Sequence, residues 1–173
     1  MSDIGKRKDE HITINLEKDV RSGIVTGFKK YSFNHQALPE INLKDVNTGT
    51  KFLGRALNLP LVISSMTGGT EKGDHINHVL AEAAQLTGIA IGVGSQRAQL
   101  EKGSVTSLNT LRRIASGIPL YANLGAVQLN YGYSVYECQK AVEILEADGL
   151  ILHLNPLQEA LQPEGQTDRA DLA

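Results

Sequence analysis

The chain of 173 residues is long enough for one ordinary domain with a sizeable core. Its formal net charge of −2 argues against a general nucleic-acid binder, and no apolar run approaches the ~18 residues that span a bilayer. A single cysteine, Cys138, excludes an internal disulfide, and the charged stretch Ser2 to His11 is unlike a secretory signal. The expectation is a cytoplasmic protein with neither nucleic acid nor membrane as partner.

Residues 3–11 are nearly all charged, with Lys6, Arg7 and Lys8 answered at once by Asp9 and Glu10. Two readings stand side by side: a solvated arm or helix start, which is favoured, and an anion clamp in which Arg7 and Lys8 reach over a phosphate. Ile12 to Gly23 is weakly helical. Residues 24–58 have no clean period, with Pro39, Asn47 and Gly49 as breakers, and read as irregular chain with short strands. From Pro60 the chain becomes regular. Leu61 to Met66 reads as a buried strand closed by Thr67-Gly68-Gly69. Asp74 is a candidate cap for a helix whose Ile76, Val79, Leu80 and Ala83 share one face, with Gly88 as its stop. Ile89 to Val93 is the second strand, opening into Gly94-Ser95-Gln96-Arg97. A helical pattern follows across Val105, Leu108, Leu111 and Ala115. The third strand starts at Pro119 and opens into Asn123-Leu124-Gly125-Ala126. Ser134 and Glu137 have capping-box spacing ahead of a helix face of Val135, Cys138, Val142 and Leu145. The fourth strand is Leu150 to Leu154, and Asn155-Pro156 then reads as a stop to regular structure.

The polar residues at the ends of these strands recur evenly. Ser65 and Ser95 are 30 residues apart, Ser95 and Asn123 are 28 apart, and Asn123 and His153 are 30 apart. Each interval is one βα unit, and strand–helix alternation implies a parallel sheet. In such sheets ligands gather beyond the C-terminal strand ends. Singly, each of these residues is a turn residue. Together, four successive polar tips, ending in His153-Leu154-Asn155-Pro156-Leu157-Gln158-Glu159, favour a ligand site. Thr67-Gly68-Gly69 and Gly92-Val93-Gly94-Ser95 are small and rich in backbone donors, which suits a flat ring or a phosphate. Neither matches the P-loop or the dinucleotide-binding fingerprint. Glu159 suits a hard cation such as Mg²⁺, and Arg97 a phosphorylated substrate. No hydrolase triad order and no zinc spacing is present, and His35, His75 and His78 receive no role.

Five segments carry a family resemblance: Arg7 to His11; Pro60 to Gly69; Gly92 to Arg97; Ala122 to Ala126; and His153 to Glu159 with Gln162-Pro163-Glu164-Gly165. In this order they resemble type 2, flavin-dependent isopentenyl-diphosphate delta-isomerase. The resemblance implies an α/β fold of the TIM (β/α)8 class, reduced FMN, Mg²⁺, NADPH as reductant, and isopentenyl and dimethylallyl diphosphate as substrates. It implies FMN binding by Ser65, Met66, Thr67, Ser95 and Asn123. It implies substrate contacts from Arg7, Lys8, Ser95, Gln96, Arg97, His153, Asn155 and Gln158, with Gln158 at the reacting hydrocarbon and Glu159 on the metal.

The family barrel needs eight strands, and four are legible here. The expected organisation is an N-terminal arm and irregular segment over 1–59, half of a barrel over 60–165, and a divergent C-terminal tail over 166–173. A truncated product is expected, with two sheet edges and one apolar helix-facing layer exposed, poorly stable alone or paired with another copy. The complete protein is expected to be a homo-oligomer. The alternatives are an inactive fragment or assembly partner of the isomerase, and another FMN-binding TIM-barrel oxidoreductase.

Overall fold

A computed structural model describes residues 3–102 and 107–172. The chain opens with helix α1 (Asp3–Glu17). Residues 18–49 follow as irregular, exposed chain with two short 3-10 turns, Phe28–Lys30 and Leu43–Asp45. A small antiparallel hairpin, β1 (Thr50–Phe52) and β2 (Arg55–Leu57), precedes the regular part.

That part is a four-stranded sheet in the order β3 (Val62–Ile63), β4 (Ala90–Gly92), β5 (Leu120–Gly125) and β6 (Gly149–His153), every pair parallel. Parallel neighbours need crossovers. These are α2 (Glu71–Thr87), then α3 (Arg97–Lys102) with α4 (Leu111–Ile114), and then α5 (Val135–Leu145). A short α6 (Pro156–Leu161) follows β6. The observed class is mixed α/β with an open parallel sheet. No described helix is long and apolar enough to cross a membrane.

The period-two alternation of strand side chains gives the sheet two different faces. Ile91, Leu120, Ala122 and Leu124 pack against Ala81 and Ala84 of α2, Leu111 of α4, and Ala141 and Leu145 of α5, forming the main core. The helix-facing layer is thus covered at the centre of the sheet, while Leu152 on the edge strand β6 is exposed. The other face carries Ala90, Tyr121 and Ile151, which pack with Leu57 of the hairpin, and Phe52 meets Tyr121 edge-on at 6.0 Å. At the C-terminal end of that same face stand Asn123 and His153, brought near each other because Asn123 pairs with Ile151 and Gly125 with His153.

Local chemistry explains where several boundaries fall. Thr70, not Asp74, caps α2: its Oγ1 accepts from the Gly73 N–H at 3.1 Å, which leaves Asp74 buried in the first turn. Gly88 ends α2 in the left-handed region at φ +69. Ser134 and Glu137 do form a capping box on α5. Asn155-Pro156 starts a helix instead of stopping regular structure, because proline at the first helical position lacks an N–H that would have been unpaired there anyway. The helix expected across Val105 to Ala115 is seen as a 3-10 turn (Ser107–Thr110) and α4; Val105 lies outside the described residues.

Candidate functional site

The loops beyond the C-terminal strand ends and α1 border a half-open cavity of about 640 Å³, within the range of small-molecule sites. Ser65, Met66, Thr67, Ser95, Arg97, Asn123, His153, Asn155, Gln158 and Glu159 all line it, together with Lys8 from α1. Of the residues singled out from the sequence, Gln96 is not part of it. Its side chain is 1% exposed and points into the protein: Nε2 donates to the Ala141 carbonyl at 3.1 Å, and Oε1 accepts from the Asn123 N–H at 3.2 Å. Gln96 thus fastens two strand ends to α5 and has no open path to a ligand. The side chain of Arg7 lies outside the described residues.

The first tip is held by backbone packing. The Gly94 N–H donates to the Thr67 carbonyl at 2.9 Å, and Asn77 of α2 donates to the same oxygen at 3.1 Å. A Cβ on Gly94 would overlap that carbonyl, so only glycine allows the approach. Lys8 reaches over this loop and donates to the Ser95 carbonyl at 3.2 Å, which lays α1 along the mouth of the cavity. The favoured reading of residues 3–11, a solvated arm or helix start, agrees with α1, and Lys8 in addition is anchored to a residue 87 positions along the chain.

Arg97 stands at the second tip. Its Nε donates to Glu101 at 2.7 Å and its Nη1 to the Gln166 side chain at 3.1 Å. At the third tip, the Asn123 side-chain oxygen faces His153 Nδ1 at 3.0 Å. An amide oxygen only accepts, so in this pairing Nδ1 is the donor. Burial is the main cause that lowers the His153 pKa; Lys8 acts in the same direction, while Glu159 and a backbone bond at Leu124 oppose it. At the fourth tip, Glu159 is 8% exposed. One of its oxygens accepts from Asn155 Nδ2 at 3.0 Å and the other from the Gln166 N–H at 2.8 Å.

Two buried polar atoms here have no partner among the described residues: Ser65 Oγ and Asn123 Nδ2. Each such atom costs about 1–3 kcal/mol unless something fills the place. Both belong to residues lining the cavity, which Gly68 also lines. Unpaired polar groups of this kind suit a polar ligand that supplies the missing bonds. Glu159 keeps one free lone pair on each oxygen, enough for one cation contact if a bound ligand supplies further oxygens. Among the described residues no group of three or more His, Cys, Asp or Glu residues is placed to hold a metal by itself.

Sequence reasoning missed Gln128, Gln166, His11 and Asn15. Gln128, His11 and Asn15 line the cavity, and Gln166 bonds to three of its neighbours. Gln128 follows the third tip by five positions, in a 3-10 turn that no periodicity announces. The segment from 166 onward is also no loose tail: Tyr131 OH accepts from the N–H groups of Thr167 and Asp168, each at 3.1 Å.

No protein-family model matches the chain. Among curated proteins it is similar to the isopentenyl-diphosphate delta-isomerase of Rickettsia canadensis, at 53% identity over 167 residues, which is 96% of this chain and 49% of that protein. It is also similar to the proteins of the same name from Rickettsia akari, at 52% over 166 residues (96% and 48%), and Rickettsia felis, at 50% over 167 residues (96% and 48%). The likeness runs along nearly all of this chain, and the chain spans about half the length of these curated relatives, each named isopentenyl-diphosphate delta-isomerase.

Proposed function

We propose that this chain forms half of the active site of a type 2, FMN-dependent isopentenyl-diphosphate delta-isomerase, built on half of a (β/α)8 barrel. The observation that carries the reading is a cavity that gathers polar side chains from four consecutive strand ends under a lysine-bearing helix. The names of the relatives support the substrate pair, isopentenyl and dimethylallyl diphosphate.

The reaction moves a proton across an allylic system without net redox change. Bound and reduced, by NADPH in this reading, the flavin supplies the acid and base that the side chains lack. Gln158, an exposed amide on the cavity wall, is far too weak an acid to protonate an alkene, so its part is to orient the hydrocarbon. Ser65 and Asn123, with their unpaired polar atoms, would hold the flavin together with Met66, Thr67 and Ser95, which line the same cavity. Lys8 and Arg97 neutralise the diphosphate, with Arg7 as a third cation. His153 and Asn155 position it, and Glu159 would hold a Mg²⁺ to compensate the charge on its oxygens. Holding those oxygens matters because an allylic diphosphate ionises readily once its negative charge is compensated. The protein contributes binding and orientation, and the cofactor contributes the chemistry. The working form is taken to be cytoplasmic and homo-oligomeric.

The test is product analysis. The chain, and a full-length relative as reference, are incubated with reduced FMN, Mg²⁺ and isopentenyl diphosphate. Dimethylallyl diphosphate formed by the relative, with FMN retained by this chain, is the expected result. A relative that oxidises hydroxy acids and leaves isopentenyl diphosphate untouched would overturn the reaction. A chain that retains no FMN would leave the inert-fragment reading.

A further inference from the structure

Gln166 sits at the meeting point of three strand tips. Its side-chain oxygen accepts from Arg97 Nη1 at 3.1 Å and from Gln128 Nε2 at 2.8 Å, and its backbone N–H donates to Glu159 at 2.8 Å. Arg97 follows β4, Gln128 follows β5, and Glu159 lies on α6 after β6. One residue therefore ties together a cation, an amide and the carboxylate of the same cavity.

The surrounding chain is built to hold Gln166 there. The Gly165 N–H closes a turn onto the Gln162 carbonyl at 3.1 Å, and Gly165 lies against the backbone of Glu159, where any Cβ would collide with the Glu159 carbonyl. Immediately afterwards Tyr131 OH takes the next two N–H groups, and Asn130 donates to the Ala170 carbonyl at 2.7 Å. Arg169 reaches back to the Pro156 carbonyl at 3.2 Å. The segment is fixed on both sides of the glutamine.

Arg97 shows why this matters. Its guanidinium is a rigid fork, and Glu101 holds only the Nε edge. The Nη1 bond to Gln166 sets the rotation of the plane, and with it the direction in which the remaining N–H groups point. A bidentate grip on an anion depends on that direction. A neutral amide performs this task without cancelling the positive charge, as a second carboxylate would.

We propose that Gln166 is a positioning residue of this site: it sets the guanidinium of Arg97 for a diphosphate while its N–H fixes the Glu159 carboxylate. The role rests on the diphosphate-binding reading of the cavity. The probe is inorganic pyrophosphate, titrated calorimetrically into the 173-residue chain. Gln166→Met keeps the backbone N–H and the side-chain length but removes the acceptor. Its expected effect is ~10-fold weaker pyrophosphate binding, the size of one charge-assisted hydrogen bond. Gln166→Ala gives the same loss through a shorter side chain, so the result does not hang on one variant. Arg97→Lys keeps the charge but not the fork. In that background Gln166→Met is expected to cause no further loss, since the residue acts through the arginine.

An equal loss in both backgrounds, or none in either, overturns the positioning role and leaves the anion site standing. A wild-type chain that binds no pyrophosphate removes the anion-site reading, and the positioning role with it.

Discussion

At the end of the sheet where β5 begins, Asp148 accepts from the Leu120 N–H at 2.9 Å and from Arg112 at 2.8 Å, with Arg55 at 3.6 Å. Arg112 in turn donates to the carbonyls of Glu146, Ala115 and Ile118. At the other end, where the strands stop, Ser65 Oγ and Asn123 Nδ2 are buried with no partner among the described residues. Both ends are polar. The first satisfies itself, while the second leaves bonds to be made, at a cost in stability that a ligand would remove. Tyr121 qualifies the contrast: its hydroxyl is buried beneath the hairpin with no partner among the described residues. Burial raises its pKa, as does the nearby Asp148 charge, against a smaller opposing effect of Arg55, so it stays a neutral phenol.

Substitutions can break this contrast. The largest effect is expected for Gly94→Ala, whose Cβ would meet the Thr67 backbone, where no side chain can yield. It should cost about 3 kcal/mol in urea unfolding and remove FMN binding together with it. Stability within about 1 kcal/mol of wild type would show that the loop is not packed as described. Asp148→Ala should cost about 2 kcal/mol, because two donors lose a charged acceptor and Arg55 an ion-pair partner, yet leave FMN affinity unchanged. A matching fall in FMN affinity would erase the distinction between the two ends.

Ser65→Ala should do the reverse. Removing an unpartnered hydroxyl leaves stability within about 0.5 kcal/mol of wild type or raises it, while FMN binding weakens ~5-fold. Fluorescence titration beside thermal melting reads both. The smallest effect concerns pH. Burial holds the folded-state pKa of His153 below 6.5, so the unfolded chain takes up the proton first. Its contribution is therefore intact above pH 6.5 and is lost as pH falls from 6.5 through the folded value. Against His153→Gln, the wild type should lose more stability between about pH 7.5 and about pH 5.5. An equal loss in both proteins would mean that the ring is not desolvated.

The same contrast explains what was readable from sequence alone. Strand tips repeating at intervals of about thirty residues announced the parallel order, because a βα unit has a characteristic length. Leu120, Ala122 and Leu124, alternating with Tyr121 and Asn123, belong to a strand covered on both sides, and such strands read as near-continuous apolar runs. Ser65, Arg97, Asn123 and Glu159 were visible because polar residues ending apolar runs need a reason. Gln96 misled for the same cause. It has the right type and position, but one rotation of the backbone turns it inward to Ala141, and spacing carries no sign of that. Gln166 was hidden because its role comes from a turn at Gly165 and from Tyr131, 35 positions earlier, a long-range closure that no local pattern records. Thr70 took the cap from Asp74 because both suit an N-cap and only the backbone geometry decides between them.

The central claim is that the cavity at the C-terminal strand ends receives a flavin. The most direct measurement is quenching of FMN fluorescence on titration with the 173-residue chain, beside a Ser65→Ala/Asn123→Ala double variant and Asp148→Asn. The expected result is saturable quenching by wild type and by Asp148→Asn, with a loss of at least ~10-fold in affinity for the double variant. Absent quenching by wild type, or equal affinity in the double variant, would contradict the account.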